Sequence, residues 1–439
     1  MTSLTAARLQ MTLSLAFHMV FAAIGIGLPL LMVIAERLHL RTRQPHYLAL
    51  TKKWAKATGL LFAVGAVSGT ALSFELGLLW PRYMEIMGAA VGHLFALEGF
   101  AFFIEAIFIG LYLYGWDKLS PTAHWWCGVV VAVSGALSGV LVLGVNAWMQ
   151  LPVGFEMDAA GHVTNVDPLA IFKTYAWFTM ALHSTIACYV SVAFAVGAVY
   201  AAGYLRGKRD DYHRSAMRIA LSVGAIFAIL QPISGDLIAK FVYRTQPAKF
   251  AAMEGHFVTS SHAPMHIGGW ADETSRETKF AIKIPGMLSF LAAYDFNTVV
   301  KGLDSIPREN WPNVPLTHLS FDLMVGCGVA MMLLGIWFAW TWWRQGVEQF
   351  ASRWLLRAIV FCGSLGFIAL EAGWVVTEAG RQPWVIQGIL KTKDTVTPSP
   401  SIVPVFTGFI ALYLLLGVTT VLLLRYLGKD ESPDSTLTP

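Results

Sequence analysis

Two carboxylic acids stand inside one long apolar stretch. The run GHLFALEGFAFFIEAIFIGLYLYGW contains Glu98 and Glu105 and neither Lys nor Arg. Seven residues make about two turns of an α-helix, so both carboxyl groups are expected on one helix face, about 10 Å apart. Ionisable groups at membrane depth are costly and usually functional. Acids placed one after another that gain and lose protons would form a proton path. The structural alternative is that the two acids pair with basic residues of other helices.

Three further residues within apolar stretches could bind a metal. His18 lies in LAFHMVF, His183 in MALHSTIACYV and Met324 in FDLMVGCG. A neutral imidazole and a thioether are the axial ligands of many low-spin haem groups. A single membrane histidine is otherwise a hydrogen-bonded structural group, and a single methionine is usually a packing residue. Composition alone does not pair these residues.

A third group of polar residues ends another apolar stretch, EAGWVVTEAGRQPW. It contains Glu371, Glu378 and Arg381. Glu378 and Arg381 are three residues apart, which allows an ion pair on one helix face. Gly380 and Pro383 are expected to end the helix here. The structural alternative is that this pair is a simple ion pair at the membrane interface.

The elements that carry these residues are predicted to be membrane-spanning helices. Hydrophobic residues make up 56% of the chain and charged residues 13%, whereas a water-soluble domain carries about 25% charged residues. A span needs about 20 apolar residues, and helices satisfy their own backbone in lipid. The sequence predicts an all-α, polytopic bundle with spans near residues 11–35, 55–77, 93–115, 125–147, 174–204, 217–240, 319–342, 355–376 and 404–427.

The distribution of charge predicts the orientation and excludes some functions. Cytoplasmic loops are enriched in Lys and Arg, and the loops after the first and fifth spans are the basic ones here. They carry Arg37, Arg41, Arg43, Lys52 and Lys53, and Arg206, Lys208, Arg209 and Arg214. This places the N-terminus outside and the C-terminus in the cytoplasm. The net charge of +4 is small and scattered, so no nucleic-acid partner is expected.

Two further segments lie outside the predicted spans. Residues 241–318 contain six prolines among charged and histidine residues, and the orientation places them on the outer face. A loop of this length is usually functional or disordered. Residues 428–439 are expected to form a disordered tail.

Several of these motifs together resemble subunit I of the cytochrome bd-type quinol oxidases. The similarity covers about residues 5–427 and includes the nine spans. The motifs that carry it are GRQPW at 380–384 preceded by Glu378, LEGFAFFIE at 97–105, NAWMQLP at 146–152, and the settings of His18 and His183.

The resemblance implies bound haem groups and their ligands. His183 and Met324 match the axial ligands of a low-spin haem b. His18 and Glu378 match the ligands of the two haems at the oxygen site, which are a high-spin haem b and a haem d. Which of these two residues serves which haem differs among relatives and stays open.

The same resemblance implies roles for further residues. Glu98 and Glu105 match the acids that line the oxygen site and its proton supply. Lys249 and Glu254, within RTQPAKFAAMEGH, match residues connected with quinol oxidation. Arg381 matches a residue that faces a haem propionate.

The sequence departs from the family pattern at two places. Many members carry Arg two residues before the methionine ligand, where this chain has Asp322, and the change is expected to alter the potential of the low-spin haem. About 65 residues separate Glu254 from the seventh span. This resembles the short-loop branch, which includes cyanide-insensitive oxidases, so the third haem could be d or a further b.

The resemblance implies the haem-bearing subunit of a terminal oxidase in the bacterial cytoplasmic membrane. It would oxidise quinol at the outer face and reduce dioxygen to water with cytoplasmic protons, which separates charge without a pump. Residues 1–240 and 319–427 would hold the haem ligands, and 241–318 would bind quinol. A second large membrane subunit is implied as partner, with a small single-span subunit in some members.

Two other functions fit parts of the pattern. A quinone-linked cytochrome b electron carrier often has paired histidines on the same helices, whereas His18 and His183 stand alone in their spans. A proton-coupled secondary transporter could use Glu98 and Glu105, but such proteins often show repeated halves with broken helices, which are not evident here. A reduced-minus-oxidised spectrum separates the three functions.

Overall fold

Nine long apolar segments form the described part of the chain's helical bundle. The computed structural model describes residues 2–397, 399 and 401–429, without the side chains of residues 347–349 and 429. Within these residues, nine helical segments are long and apolar enough to cross a membrane. The predicted all-α bundle is confirmed.

The helices are numbered in chain order, and the eighth span consists of two of them. The spanning helices are α1 (Ser3–Thr42), α2 (Pro45–Leu79), α3 (Pro81–Tyr114), α4 (Pro121–Gln150), α5 (Tyr175–Leu205), α6 (Asp211–Thr245), α9 (Val314–Gln345), α10 (Arg353–Cys362) with α11 (Leu365–Ala379), and α12 (Ile402–Lys429). Two short helices, α7 (Pro247–Met253) and α8 (Met287–Ala293), lie between α6 and α9.

The helices are longer than the apolar stretches that predict them. At the start of α1, the Thr2 hydroxyl accepts a hydrogen bond from the Thr5 backbone N–H at 3.2 Å, which caps the helix before its apolar part begins. Because α6 continues to Thr245 and α9 begins at Val314, helical backbone extends into both ends of the predicted non-membrane segment 241–318, whose bounds stay a prediction. We call residues 246–313 the long segment. Hydrophobicity reports which residues favour lipid, whereas backbone hydrogen bonding decides where a helix ends.

Two interruptions within spans were not predicted. The backbone of α3 leaves helical geometry at Val91, with φ −134° and ψ 16°. The eighth span breaks between Cys362 and Leu365. A Cβ atom at Gly363 would lie 2.3 Å from the Cβ of Ala198, so the glycine allows the broken helix to pack closely on α5.

The long segment is folded rather than irregular. Beside its two helices it contains four strands in two antiparallel pairs, β3 with β6 and β4 with β5. These strands are β3 (Met265–Ile267), β4 (Trp270–Asp272), β5 (Glu277–Lys279) and β6 (Ile282–Ile284). Short hairpins elsewhere join β1 (Glu156–Met157) to β2 (Val163–Thr164) and β7 (Trp384–Ile386) to β8 (Leu390–Lys391).

The alternation of the spans brings the predicted ligands to one end of the bundle. Helices α1, α5 and α9 begin at the end that carries the long segment, and α11 ends there. The compartment that this end faces, and therefore the position of the termini, stays a prediction. In the predicted tail, Gly428 and Lys429 belong to α12, which corrects its start, and residues 430–439 lie outside the described residues.

Candidate functional site

His18 is oriented by a serine on the neighbouring helix. The Nδ1 atom of His18 lies 3.0 Å from the hydroxyl oxygen of Ser68 on α2. The Ser68 hydroxyl donates its own proton to the Gly65 carbonyl, also at 3.0 Å. Ser68 therefore accepts a hydrogen bond from Nδ1–H, and the neutral ring keeps its free electron pair on Nε2. This is the tautomer in which a histidine can bind a metal through Nε2.

His183 has the same arrangement with α6. Its Nδ1 atom lies 3.0 Å from the hydroxyl oxygen of Ser234, which donates to the carbonyl of Gln231 at 2.8 Å. Metal-binding histidines commonly donate their second N–H to an oxygen atom in this way. The Nε2 atom accepts from the Gln231 side-chain nitrogen at 3.2 Å, so this amide would have to turn aside for iron to bind.

Each of these serines is followed by a glycine that faces the same histidine. A Cβ atom at Gly69 would lie 2.9 Å from Cε1 of His18, and one at Gly235 would lie 3.5 Å from Cε1 of His183. The first distance excludes a larger residue without rearrangement, and the second is ordinary contact. Sequence analysis did not find these serines, although an identical Ser-Gly pair in the helix after each histidine-bearing helix was a usable signal.

Met324 lies in a contact between α9 and α11. A Cβ atom at Gly373 would lie 3.0 Å from the Met324 sulfur, so a glycine is needed beside the thioether. A groove of about 430 Å³ runs between the same two helices. It is lined by Ser320, Leu323, Phe367, Ile368, Glu371, Ala372 and Val375. The Glu371 Oε1 atom is buried without a hydrogen-bond partner among the described residues.

Glu378 is bound on both carboxylate oxygens. Its Oε1 atom accepts from the Asn146 side-chain nitrogen at 2.7 Å, and its Oε2 atom forms an ion pair with Arg381. The predicted pair is therefore present, and the helix ends at Ala379 as predicted. Arg381 is 3% exposed, and its Nε atom has no hydrogen-bond partner within the described part of the chain. A buried guanidinium with a free N–H fits an anionic group such as a haem propionate.

Lys249 and Glu254 are both buried at the base of the long segment. The Lys249 ammonium donates to Gln150 Oε1 at 2.7 Å and to the carbonyl of Thr377 at 3.3 Å. Burial, and after it the positive charge of Arg381, lowers the pKa of Lys249 to about 7. Burial, and after it the negative charge of Asp322, raises the pKa of Glu254 to about 8. Both groups can therefore change charge near neutral pH.

Asp322 has a structural role in this chain. Its carboxylate accepts a hydrogen bond from the backbone N–H of Gly268 at 2.8 Å and lies 3.4 Å from Nε2 of His318. His318, on the same helix, also lies 2.8 Å from the Met253 carbonyl through Nδ1. These contacts fasten α9 to the long segment. The predicted effect of Asp322 on the haem potential stays a prediction.

Glu98 and Glu105 both face α4, as their spacing predicts. Glu98 accepts a hydrogen bond from the Ser138 hydroxyl at 3.1 Å. A Cβ atom at Gly135 would lie 3.0 Å from Glu105 Oε1, and this oxygen has no hydrogen-bond partner within the described ranges. Glu105 is 5% exposed. The proton-carrying role of the two acids stays a prediction.

The contacts bring some of the predicted residues together and leave others apart. Glu378, Arg381 and Lys249 share one network, which reaches α4 through Asn146 and Gln150. Glu254 lies near Asp322, two residues from Met324. The others stand against neighbouring helices: His18 against α2, His183 against α6, and Glu98 with Glu105 against α4.

Comparisons with known proteins agree along the whole chain. The family model described as cytochrome bd terminal oxidase subunit I matches residues 6–432. A Bacillus subtilis protein that bears the name of a cytochrome bd menaquinol oxidase subunit I is 38% identical over 100% of this chain and 99% of its own length. A B. subtilis cytochrome bd ubiquinol oxidase subunit 1 is 32% identical over 99% and 96% of the two chains. The bd oxidase structure from Geobacillus thermodenitrificans superposes with a TM-score of 0.92 at 34% identity, covering 98% of this chain and 99% of that one.

Proposed function

Because the chain belongs to the cytochrome bd terminal oxidase subunit I family, and is therefore a multi-pass subunit of a respiratory quinol oxidase, we propose that it oxidises quinol beside the long segment. Dioxygen is reduced to water at the same end of the bundle. The observation that supports this most strongly is the concentration of buried, incompletely bonded polar groups there. Family membership leaves neither the electron-carrier nor the transporter alternative with independent support.

The haem groups that the family implies supply, when bound, electron transfer and the reaction with dioxygen. In this proposal His183 and Met324 hold a low-spin haem b. His18 and Glu378 hold the two oxygen-site haems, one a high-spin haem b and the other a haem d or a further haem b. The Nε2 atoms left free by Ser68 and Ser234 support the two histidine assignments.

The quinol site in this proposal includes Lys249 and Glu254. A carboxyl group with a pKa of about 8 can accept a quinol proton and release it again near neutral pH. The Arg381 guanidinium would supply positive charge to a haem propionate, and Lys249 would act at the quinol site. The long segment, residues 246–313, shields these groups from bulk water.

The protons consumed in dioxygen reduction are proposed to come from the side of the membrane opposite to quinol oxidation. Glu105, deeper in the bundle, and then Glu98 pass protons from the cytoplasm toward the oxygen site. Quinol protons leave on the outer side and the consumed protons enter from the inner side. The reaction therefore separates charge without a pump, with the N-terminus outside and the C-terminus in the cytoplasm.

The remaining assignments concern substrate and assembly. The quinol is ubiquinol or menaquinol, since the names of relatives include both. The family implies a second large subunit as partner, and we include a small single-span subunit in the proposal. We place the assembly in the bacterial cytoplasmic membrane. Residues 1–240 and 319–427 form the haem-bearing parts, and 241–318 include the quinol segment.

Quinol-driven oxygen uptake by the purified complex tests the proposal. Glu98→Gln is expected to lower uptake about 100-fold, because positioned acids and bases contribute at least this much to proton transfer. Glu85→Gln is the control: Glu85 lies on the same helix and pairs with Arg82 at the surface. Full uptake by Glu98→Gln would remove the proton role. A native complex without pigment or iron would remove the whole proposal.

A further inference from the structure

A chain of hydrogen bonds connects Lys249 in the long segment with Glu378 at the end of α11. The Lys249 ammonium donates to Gln150 Oε1 at 2.7 Å. The Gln150 nitrogen donates to Asn146 Oδ1 at 3.0 Å, and the Asn146 nitrogen donates to Glu378 Oε1 at 2.7 Å. The two amides lie one turn apart on α4, so a single helix face bridges the loop lysine and the carboxylate.

The charges at the two ends determine the direction of both amides. A lysine ammonium only donates hydrogen bonds, and a carboxylate only accepts them. The oxygen of Gln150 must therefore face Lys249, and the nitrogen of Asn146 must face Glu378. The middle bond then joins the remaining nitrogen of Gln150 to the remaining oxygen of Asn146. Turning over either amide would break two of the three bonds, so the chain has one arrangement.

The chain lies in surroundings where such bonds are strong. Lys249 is 4% exposed, Gln150 3% and Asn146 9%. Where little water competes, hydrogen bonds polarise one another, and an unpaired member is costly. The second Lys249 bond, to the carbonyl of Thr377 at 3.3 Å, reaches the residue before Glu378. Displacement of the ammonium thus affects the surroundings of Glu378 by two routes.

We propose that Asn146 and Gln150 are positioning residues that couple Lys249 to the orientation of the Glu378 carboxylate. The inference rests on the proposed function, in which Lys249 lies at the quinol site and Glu378 binds an oxygen-site haem. Quinol or quinone that draws the Lys249 ammonium toward itself weakens the bond to Gln150. Asn146 then holds Glu378 Oε1 less firmly, and the oxygen-site ligand changes its bonding in response to events at the quinol site.

The test uses the purified complex, with carbon monoxide as the probe of the reduced oxygen site. Gln150→Met keeps a similar shape and removes both hydrogen bonds. We expect CO to bind about tenfold more weakly with a shifted CO difference spectrum, as is typical when a partner of a metal ligand is lost. Lys249→Met should cause at least this shift, because it also removes the bond to the Thr377 carbonyl. The double variant should show no shift beyond that of Lys249→Met, because residues of one network are not additive.

The matched control is Gln10→Met. Gln10 is a buried glutamine that donates to a different carboxylate, Glu75, at 3.2 Å, and its variant should keep the native CO spectrum. A native spectrum and CO affinity in Gln150→Met, or additive shifts in the double variant, would overturn the coupling. If Gln150→Met does not assemble, Gln150→Glu replaces it. Glutamate still accepts from Lys249 but has no N–H for Asn146, so the same shift is required.

A further variant separates this inference from the function on which it rests. Glu378→Gln is expected to change the haem content and the CO spectrum directly. If it changes neither, the ligand assignment within the proposed function is wrong. If it changes them and Gln150→Met does not, only the coupling through α4 is wrong.

Discussion

Two groups of buried polar residues, at opposite ends of the bundle, differ in how completely they are hydrogen-bonded. At the end opposite the long segment, Tyr112 donates to Glu36 Oε2 at 2.5 Å, and Nδ1 of His124 lies 2.7 Å from Glu36 Oε1. The other ring nitrogen of His124 lies 2.9 Å from the Tyr112 carbonyl. Both carboxylate oxygens and both ring nitrogens of this cluster are therefore bonded, and it joins α1, α3 and α4.

The end with the long segment contains groups that are buried but incompletely bonded. They include Glu371 Oε1, Arg381 Nε and both polar side-chain atoms of Gln246, none of which has a hydrogen-bond partner among the described residues. Leaving such groups unpaired costs about 1–3 kcal/mol each. The Glu36 cluster needs no further partner, whereas the groups at the end with the long segment are free to bind one. Within the described part of the chain, buried atoms without a partner also occur near the opposite end, at His46 Nε2 and Arg214 Nε, so this contrast supports the proposed site only together with its proposed ligands.

The largest expected effect concerns haem retention at the end with the long segment. His183→Ala or Met324→Leu should abolish the low-spin haem band in a reduced-minus-oxidised spectrum, because each variant removes one of the two proposed axial ligands. Ser234→Ala should weaken retention of the same haem, since it removes the acceptor that fixes the His183 tautomer.

A matched control for these variants is Ser222→Ala. Ser222 is also on α6, but its hydroxyl donates to the Arg218 carbonyl at 2.6 Å, so the full band is expected. Unchanged spectra in both ligand variants would show that the assigned ligand pair is wrong.

The next effect concerns the pH dependence of quinol oxidation. The pKa of Glu254 is raised from 4.5 to about 8, so the group is mostly protonated at neutral pH. Because only its carboxylate form accepts a proton, kcat/KM for quinol should rise with pH through about 8. Glu254→Gln should lower kcat/KM about 100-fold and remove this rise. Initial rates across a pH series check both.

Glu277→Gln serves as the control for that series. Glu277 is an exposed acid in β5 of the same long segment, and its variant should retain the native profile. A rise with pH that persists in Glu254→Gln would assign the titration to another group.

The smallest effect tests the opposite end. Tyr112→Phe removes the donor to Glu36 Oε2 and should lower the free energy of unfolding by about 1–3 kcal/mol. Turnover at low temperature should be unchanged, because the cluster is structural. Denaturation followed by haem absorbance, together with oxygen uptake, measures the two quantities. A loss of turnover with unchanged stability would instead assign chemistry to both ends of the bundle.

Local features of the site could be predicted because they depend on one helix at a time. Glu98 and Glu105 share a face because seven residues are close to two turns. Glu378 and Arg381 pair because they are three residues apart. The contacts of His18 with Ser68 and of His183 with Ser234 could not be predicted this way. They depend on how far each helix is rotated and shifted against its neighbour.

Contacts between residues distant in sequence also determine the structure of the long segment, and they could not be predicted. Its prolines and polar residues predict a loop, but the pairing of its strands and the role of Asp322 as an anchor follow from contacts distant in sequence. Asp322 Oδ2 and the N–H of Gly268, joined at 2.8 Å, are separated by 54 residues. From the sequence alone, Asp322 could be interpreted only as the loss of the positive charge expected at this position in the family pattern.

A bundle of membrane helices that carries acids, histidines and a methionine within its spans could be predicted from the amino-acid sequence. Apolar length and helical periodicity are properties of each segment, and lipid leaves the backbone few alternatives. The free nitrogen of each histidine, the complete bonding of some buried groups, and the connection of Lys249 to Glu378 through α4 follow from the packing of the helices. Hydrogen bonds act over about 3 Å, and only the packing of one helix on another brings the partners that close.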